Sequence, residues 1–271
     1  SFGDGADATV SNNFVLPATG LDNAFVIKGT GGANVTTETI VRLTGEISGG
    51  SAGEIYRFVD SGQTQNHNHV LVLSNHSNTF EGNVQLWRGT LAITDDAVLG
   101  NSDNDIIHFT ENLDGQLRFD ADGVTLNPNR SINFPGALNV RPLNTQAFDA
   151  TMQGELTGPA ILDKQGTGTL TLEGPTDFSG ETNVAEGTLA LAGVADLAFV
   201  DLITVQSGAI LDVSAYNGSG GLEIESALAG DGEVVGTLLT FDEIAPGAAD
   251  DVIGTLTTDD LIIDSFSGLV N

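Results

Sequence analysis

The chain has 271 residues, with 37 acidic and eight basic side chains and a formal net charge of −29. This balance argues against binding to nucleic acid or to an anionic membrane, because phosphate recognition needs clustered Lys and Arg. The absence of Cys excludes disulfides, thiolate metal sites and a Cys nucleophile. No run of about 18 apolar residues occurs, so we expect no direct membrane insertion by this segment.

Short runs of strict apolar–polar alternation recur along the chain and predict half-buried β-strands. They are bounded by Gly, Asn, Asp or Ser, and helical periodicity is almost absent, so an all-β fold is expected. The clearest runs are residues 90–93, 117–119, 169–172, 188–191, 203–205, 211–213 and 222–224.

Equivalent strands return about every 20 residues, which is too long for a hairpin protein with strands every 8–12 residues. The spacings are 20, 26, 19 and 22 residues, measured from Leu71 to Leu91 to Leu117 and from Leu170 to Leu189 to Leu211. This return predicts a solenoid whose coils each hold two or three short strands. At roughly 20–25 residues a coil, the chain is expected to make about 11–13 coils.

A longer repeat is superimposed on the short one. Its two copies share equivalent residues at a constant separation of 98 positions, namely Phe80, Gly82, Gly89 and Leu91 in the first copy and Phe178, Gly180, Gly187 and Leu189 in the second. We therefore expect one solenoid domain over 1–271, with long repeats at about 1–115 and 116–215 and a repeat-like segment at 216–271. Such an arrangement suggests a fragment of a longer array.

The stretch 164–174, with the sequence KQGTGTLTLEG, continues into FSGET at 178–182 and EGTLALAG at 186–193. It closely resembles the autotransporter-associated β-strand repeat of secreted bacterial passenger proteins. Segments 228–236, 245–247 and 254–257 resemble the same family, whereas the first long copy lacks the Gly-Thr-Gly-Thr lead-in. The resemblance implies a right-handed parallel β-helix located outside the cell or on the bacterial outer surface.

The resemblance favours a structural, non-enzymatic rod that forms part of an adhesin, a stalk or a self-assembling fibre. Its expected partners are other copies of itself, neighbouring repeats of a longer chain, or a surface polysaccharide. The alternative is a β-helix that binds or cleaves carbohydrate, which predicts a groove with clustered aromatic residues and paired acids. The Gly-His-Gly and Arg-x-Lys motifs of polygalacturonase-like enzymes are absent, and no catalytic residue is assigned.

Two groups of side chains are candidates for metal binding. His67, His69 and His76 form the single histidine cluster, and the spacing of the first two could project both imidazoles from one strand face; a solvated loop is the alternative. Calcium is the one cofactor considered, since carboxylate oxygens are its usual ligands. The candidate ligands are Asp103, Asp105, Asp120 and Asp122, and the alternative is that these acids only solvate the surface.

Trp87 is the only tryptophan and the candidate binding aromatic. Counted from an inward Leu86, it points outward, where it could stack on a sugar or contact another rod. The alternative is an indole that lies flat along the rod and covers apolar surface.

Overall fold

The computed structural model describes residues 5–19, 38–59, 69–108, 115–136, 139–218, 220–225, 227–240, 244–246 and 257–263. The described residues form 26 short strands and one 3-10 helix, Asp96–Leu99, with no α-helix among them. Consistent with this, no described helix is long and apolar enough to cross a membrane.

In chain order the strands are β1 (Asp7–Val10), β2 (Phe14–Leu16), β3 (Thr39–Leu43), β4 (Ile47–Val59), β5 (His69–Leu73), β6 (Glu81–Leu86), β7 (Gly89–Ile93), β8 (Ile106–His108), β9 (Gly115–Phe119), β10 (Val124–Leu126), β11 (Ile132–Asn133), β12 (Val140–Asn144), β13 (Ala150–Met152), β14 (Leu156–Gly158), β15 (Ile161–Gln165), β16 (Thr169–Leu172), β17 (Thr176–Phe178), β18 (Thr182–Val184), β19 (Thr188–Leu191), β20 (Leu202–Val205), β21 (Ile210–Asp212), β22 (Leu222–Ile224), β23 (Ala227–Gly230), β24 (Glu233–Thr240), β25 (Ile244–Pro246) and β26 (Thr257–Ile263).

The strands stack into three parallel sheets. The first sheet contains β1, β3, β5, β7, β9, β12, β15, β18, β20, β23 and β25 in that order. The second contains β10, β13, β16, β19, β21, β24, β22 and β26, and the third contains β2, β4, β6, β8, β11, β14 and β17. Because neighbours in a sheet are one coil apart in the chain, the fold is the predicted parallel β-helix.

The predicted return of about 20 residues is confirmed by the strand register. Each of the four spacings joins two leucines that are direct partners in adjacent strands: Leu71 with Leu91, Leu91 with Leu117, Leu170 with Leu189, and Leu189 with Leu211. All of these leucines are at most 1% exposed. Apolar side chains therefore stack along the axis, and each coil covers the apolar face of its neighbours.

The cross-section of the solenoid changes along the axis. The early coils use the first and third sheets, the second sheet starts only at β10, and the third sheet ends at β17. The sheets contain eleven, eight and seven strands, and the solenoid makes about seven turns, so the prediction of 11–13 coils is too high. At about 4.8 Å between strands, eleven stacked strands span about 50 Å.

The two long copies do not occupy the same faces. Leu91 lies in β7 of the first sheet, whereas its counterpart Leu189 lies in β19 of the second sheet. The phenylalanines keep similar roles, since Phe80 packs on Phe58 with ring centroids 5.1 Å apart and Phe178 packs edge-on against Phe134 at 6.0 Å. Two residues that are equivalent in the repeat and 98 positions apart thus need not occupy the same face of the solenoid.

Charges are sorted between the inside and the outside. Among the described residues, Asp163 is the one buried acid, so the other described acids are at least partly exposed. The basic residues behave in the opposite way, and five described ones are buried: Arg57, Arg118, Arg130, Arg141 and Lys164. The described part of the surface is therefore even poorer in positive charge than the composition indicates.

Candidate functional site at a corner of the coil

Lys164 occupies an inward position of the first sheet that an apolar residue would normally fill. It follows Leu162 by two residues in β15, and its register partners in the adjacent strands are Leu143 and Val184. The side chain is completely buried. A charge in such a position must find polar partners, because an unpaired buried ammonium is strongly disfavoured.

The ammonium of Lys164 finds those partners in the backbone. Its Nζ donates to the carbonyl oxygens of Gly166 at 2.7 Å, Glu186 at 2.9 Å and Gln165 at 3.2 Å. Desolvation lowers the pKa of Lys164 to about 8, although the nearby charges of Glu186 and Asp149 act in the opposite direction. The lysine thereby ties together, from inside, two successive corners between the first and second sheets.

A surface depression lies at the same corner. Its volume is about 530 Å³, and it is lined by Asn144, Gln146, Ala147, Gln165, Gly166, Thr167, Ala185 and Glu186. These residues come from three stacked copies of one corner, after β12, β15 and β18. We call this feature the corner depression. Its polar side chains are three amides, a hydroxyl and a carboxylate, without an aromatic ring.

The rim of the corner depression has a constrained backbone. Gln146 has a φ of 54° and is the one non-Gly residue with positive φ among those described. The Oδ1 of Asn144 accepts hydrogen bonds from the Gln146 backbone N at 2.8 Å and from its Nε2 at 3.3 Å. The Gln146 carbonyl in turn accepts from the backbone N of Gly168 at 3.0 Å. These bonds hold a conformation that a non-Gly residue rarely adopts, and such conformations concentrate at functional sites.

A row of polar side chains continues from the corner depression over the outer face of the first sheet. Asp163 accepts from Gln165 Nε2 and from Asn183 Nδ2, both at 2.6 Å. Gln116 Nε2 donates to Gln165 Oε1 at 3.0 Å, and Gln206 Nε2 donates to Asn183 Oδ1 at 3.1 Å. We call these five residues the amide row. Two donated bonds offset the desolvation of the buried Asp163 carboxylate.

Two of the three histidine candidates, His69 and His76, lie in the described part of the chain. His69 is buried as the first residue of β5, so the alternative of a solvated loop is wrong for this residue. His76 is exposed in the turn that follows β5. His67 lies outside the described residues, so the metal prediction is untested at that position.

The calcium candidates already have protein partners. Asp120 forms an ion pair with Arg118 at 2.6 Å. Asp103 accepts a hydrogen bond from Asn129 Nδ2 at 2.9 Å. Asp105 and Asp122 accept from the backbone N of Ser131 and of Asp149, both at 3.0 Å. Over the described ranges, no three His, Asp or Glu side chains gather in a way that could hold a metal ion. Calcium binding stays a prediction.

Trp87 is half-buried rather than exposed. The guanidinium carbon of Arg57, from the adjacent coil, lies 3.2 Å from the centre of its ring. Arg57 itself is buried, so this cation–π contact covers one face of the indole. Both the sugar-binding role of Trp87 and the alternative of an indole lying flat along the rod stay predictions.

Some functional features were missed from the sequence. One of them is the buried charge of Lys164. The apolar–polar alternation counted from Leu162 places Lys164 on the inward face, so the sequence did contain a signal for it. Asn104, which lies between the calcium candidates Asp103 and Asp105, was not singled out from the sequence. It is only 3% exposed in the structure. No pattern in the sequence indicates that positions 144–147, 165–167 and 185–186 line one depression, since this depends on the stacking of coils.

The stacked parallel sheets around an apolar core define a β-solenoid, and comparison with known proteins identifies its repeats. A family model, the passenger-associated-transport-repeat, matches residues 70–93 and 162–191. These two segments match a passenger-associated repeat, which confirms the resemblance seen in the sequence. The second matched segment contains Lys164 and the corners at 165–167 and 185–186.

A curated relative supports the same family. The chain is 28% identical over 158 residues to the adhesin BmaC autotransporter of Brucella suis biovar 1 (strain 1330). The match covers 58% of this chain but only 4% of that protein. No solved structure matches the chain.

Proposed function

We propose that this chain is a structural, adhesin-like rod that works outside the cell or on the bacterial surface and has no enzymatic activity. The observation that carries the proposal is the unbroken stack of eleven parallel strands in the first sheet around one apolar core. Such a stack is stiff along its axis, because every coil is hydrogen-bonded to the coils on both sides. The adhesin relative supports the same role.

The surface chemistry suits a protein that is displayed in solution. Among the described residues every acid except Asp163 is at least partly exposed, and the chain has a formal charge of −29. Repulsion between the outer faces disfavours contact of rods side by side and leaves their ends free to associate. A rod about 50 Å long would hold a binding element at a distance from its point of attachment.

Display on intact cells tests this role. An antibody raised against this chain should label intact cells that produce the full-length protein, and external protease should remove the signal. Cells lacking the gene should adhere less to host surfaces and regain adhesion with an intact copy. A signal seen only after lysis, or unchanged adhesion, would contradict the proposal.

We also propose that the chain associates end to end with neighbouring repeats or with other copies. Among the described residues, β1 and β25 each have a strand on one side only in the first sheet. Unpaired strand edges are templates for further pairing. Light scattering should show elongated multimers at high protein concentration, and a monodisperse monomer would count against this assembly.

A further inference from the structure

We propose that the corner depression is a binding site for an uncharged, hydroxyl-rich saccharide. This goes beyond the rod function, which stands whether or not the site binds sugar. The site lacks the clustered aromatic residues and paired acids predicted for a carbohydrate groove, so the proposal rests on the hydrogen-bonding groups of the lining, its charge and the way the protein holds it rigid.

The lining presents both donors and acceptors. Each amide of Asn144, Gln146 and Gln165 carries an NH₂ group and a carbonyl oxygen, and Thr167 adds a hydroxyl. A sugar hydroxyl also donates and accepts, so these groups match it better than they match an apolar ligand. The Gln146, Thr167 and Glu186 side chains are exposed and therefore accessible.

The charge of the site selects against anionic sugars. Glu186 is the one charged residue in the lining, and no basic residue lines the depression. The nearby Lys164 ammonium is buried and directed at three carbonyl oxygens rather than at solvent. A uronate or a sulfated sugar would meet a carboxylate without a counter-charge, which disfavours binding.

The site is held in shape before a ligand arrives. Lys164 binds the backbone carbonyls of the lining residues Gln165, Gly166 and Glu186, and the Gln146 turn is fixed by Asn144. A preorganised site loses less conformational entropy on binding. The volume of about 530 Å³ falls within the roughly 300–1,000 Å³ of small-molecule sites.

The amide row indicates how a longer sugar would lie. Gln165 belongs to both the corner depression and the amide row, which crosses the first sheet from strand to strand. Since strands stack along the rod, the row runs parallel to the rod axis. We therefore expect an oligosaccharide to bind along the axis, with one end in the depression.

Ligand-detected NMR and calorimetry on the intact chain test the proposal. The probes are three neutral hexasaccharides (maltohexaose, cellohexaose and chitohexaose), with oligogalacturonate and spermidine as anionic and cationic comparisons. The test variants are Glu186→Ala and Gln146→Gly, the second chosen because Gly suits a φ of 54°. The matched control is Gln153→Ala with Glu173→Ala, a hydrogen-bonded Gln–Glu pair at a different corner.

We expect at least one neutral hexasaccharide to bind at millimolar concentration or below. Each test variant should weaken it by about tenfold, while the control pair leaves the affinity unchanged. If Gln146→Gly lowers the melting temperature, its weaker binding could reflect lost stability, and the affinity of Glu186→Ala alone then tests the proposal. The proposal is overturned if no neutral probe binds at millimolar concentration, if the test variants bind like the unaltered chain, or if oligogalacturonate or spermidine binds in preference.

Discussion

Lys164 shows how a solenoid core can accept a charge. The ammonium is desolvated, but three backbone carbonyls replace the hydrogen bonds that water would make. The carbonyls of Gly166 and Glu186 lie beyond the ends of β15 and β18, whereas the carbonyl of Gln165 also accepts from the backbone N of Thr145 at 3.0 Å. The lysine therefore donates hydrogen bonds to the carbonyls of this corner, and it occupies the inward position between its register partners Leu143 and Val184.

The first prediction concerns the pH dependence of stability. The pKa of Lys164 is about 8 in the folded chain and lies below its ordinary value of 10.5. Between these values the unfolded state binds more protons, so this group makes stability rise with pH from about 8 to about 10.5. Denaturant unfolding of the unaltered chain and of Lys164→Met should show this rise only in the unaltered chain. Equal slopes of unfolding free energy against pH in the two proteins would contradict the prediction. Groups that both proteins contain, such as Tyr216, contribute equally to the two slopes and therefore cancel when the slopes are subtracted.

Gly180 should be intolerant of any side chain. A Cβ at this position would lie 1.7 Å from the carbonyl oxygen of Ala160 in the adjacent coil, so the backbone would have to move. We expect Gly180→Ala to cost about 3 kcal/mol of unfolding free energy. Gly208→Ala is the control, because its Cβ would meet nothing within 4 Å and only the φ of 78° is penalised, by about 1 kcal/mol. Equal losses in urea unfolding would refute the close-contact explanation.

At the scale of elements, corners are held by buried polar side chains rather than by the strands. Asn104 accepts from Gly82 N at 2.8 Å and donates to the carbonyls of Phe80 and Leu99, both at 3.0 Å. Arg130 continues this role one coil further, pairing with Asp96 of the 3-10 helix at 2.8 Å. Turn groups that no strand can satisfy thus receive side-chain partners.

Asn104→Ala tests this role of the corners. Loss of three buried hydrogen bonds leaves backbone groups unsatisfied, so we expect a loss of about 2–3 kcal/mol in chemical unfolding. Asn129→Ala is the matched control, since Asn129 is exposed and bonds only to Asp103 at 2.9 Å through its side-chain amide. A loss for Asn104→Ala no larger than that of the control would show that the coil stack alone holds the corner.

At the scale of the whole molecule, charge and coil stacking act together. Negative charges on the outer surface repel one another, and salt screens this repulsion. We expect NaCl to raise the melting temperature. EDTA should leave it unchanged, because the carboxylates of Asp103, Asp105, Asp120 and Asp122 already have protein partners. A fall with EDTA that CaCl₂ reverses would instead support the calcium site.

Removal of one complete coil should preserve the fold. Deleting residues 169–187 joins Gly168 to Thr188, and Thr188 is the register partner of Thr169. Solenoids tolerate such changes because each coil contacts only its neighbours. Circular dichroism should show β structure and a cooperative transition at a somewhat lower temperature. Deleting only 169–178 should abolish the transition, because it displaces every later strand to another face; a folded product would contradict this register argument.

Much of the architecture can be inferred from the sequence. Alternation in runs such as 169–172 determined which side chains face inward, and the intervals between leucines determined which strands pair, because a parallel coil must return to the same face. The acidic composition determined the character of the surface. These inferences depend only on local periodicity and on the length of one turn.

Tertiary structure decided the features that depend on contacts between coils. It placed Leu91 and Leu189 on different sheets although their local sequences match, because the second sheet begins only at β10. It also decided that Lys164 is satisfied by carbonyls from two coils and that three corners form one depression. Periodicity specifies which way a side chain faces, whereas its neighbours across coils depend on the shape of every intervening turn.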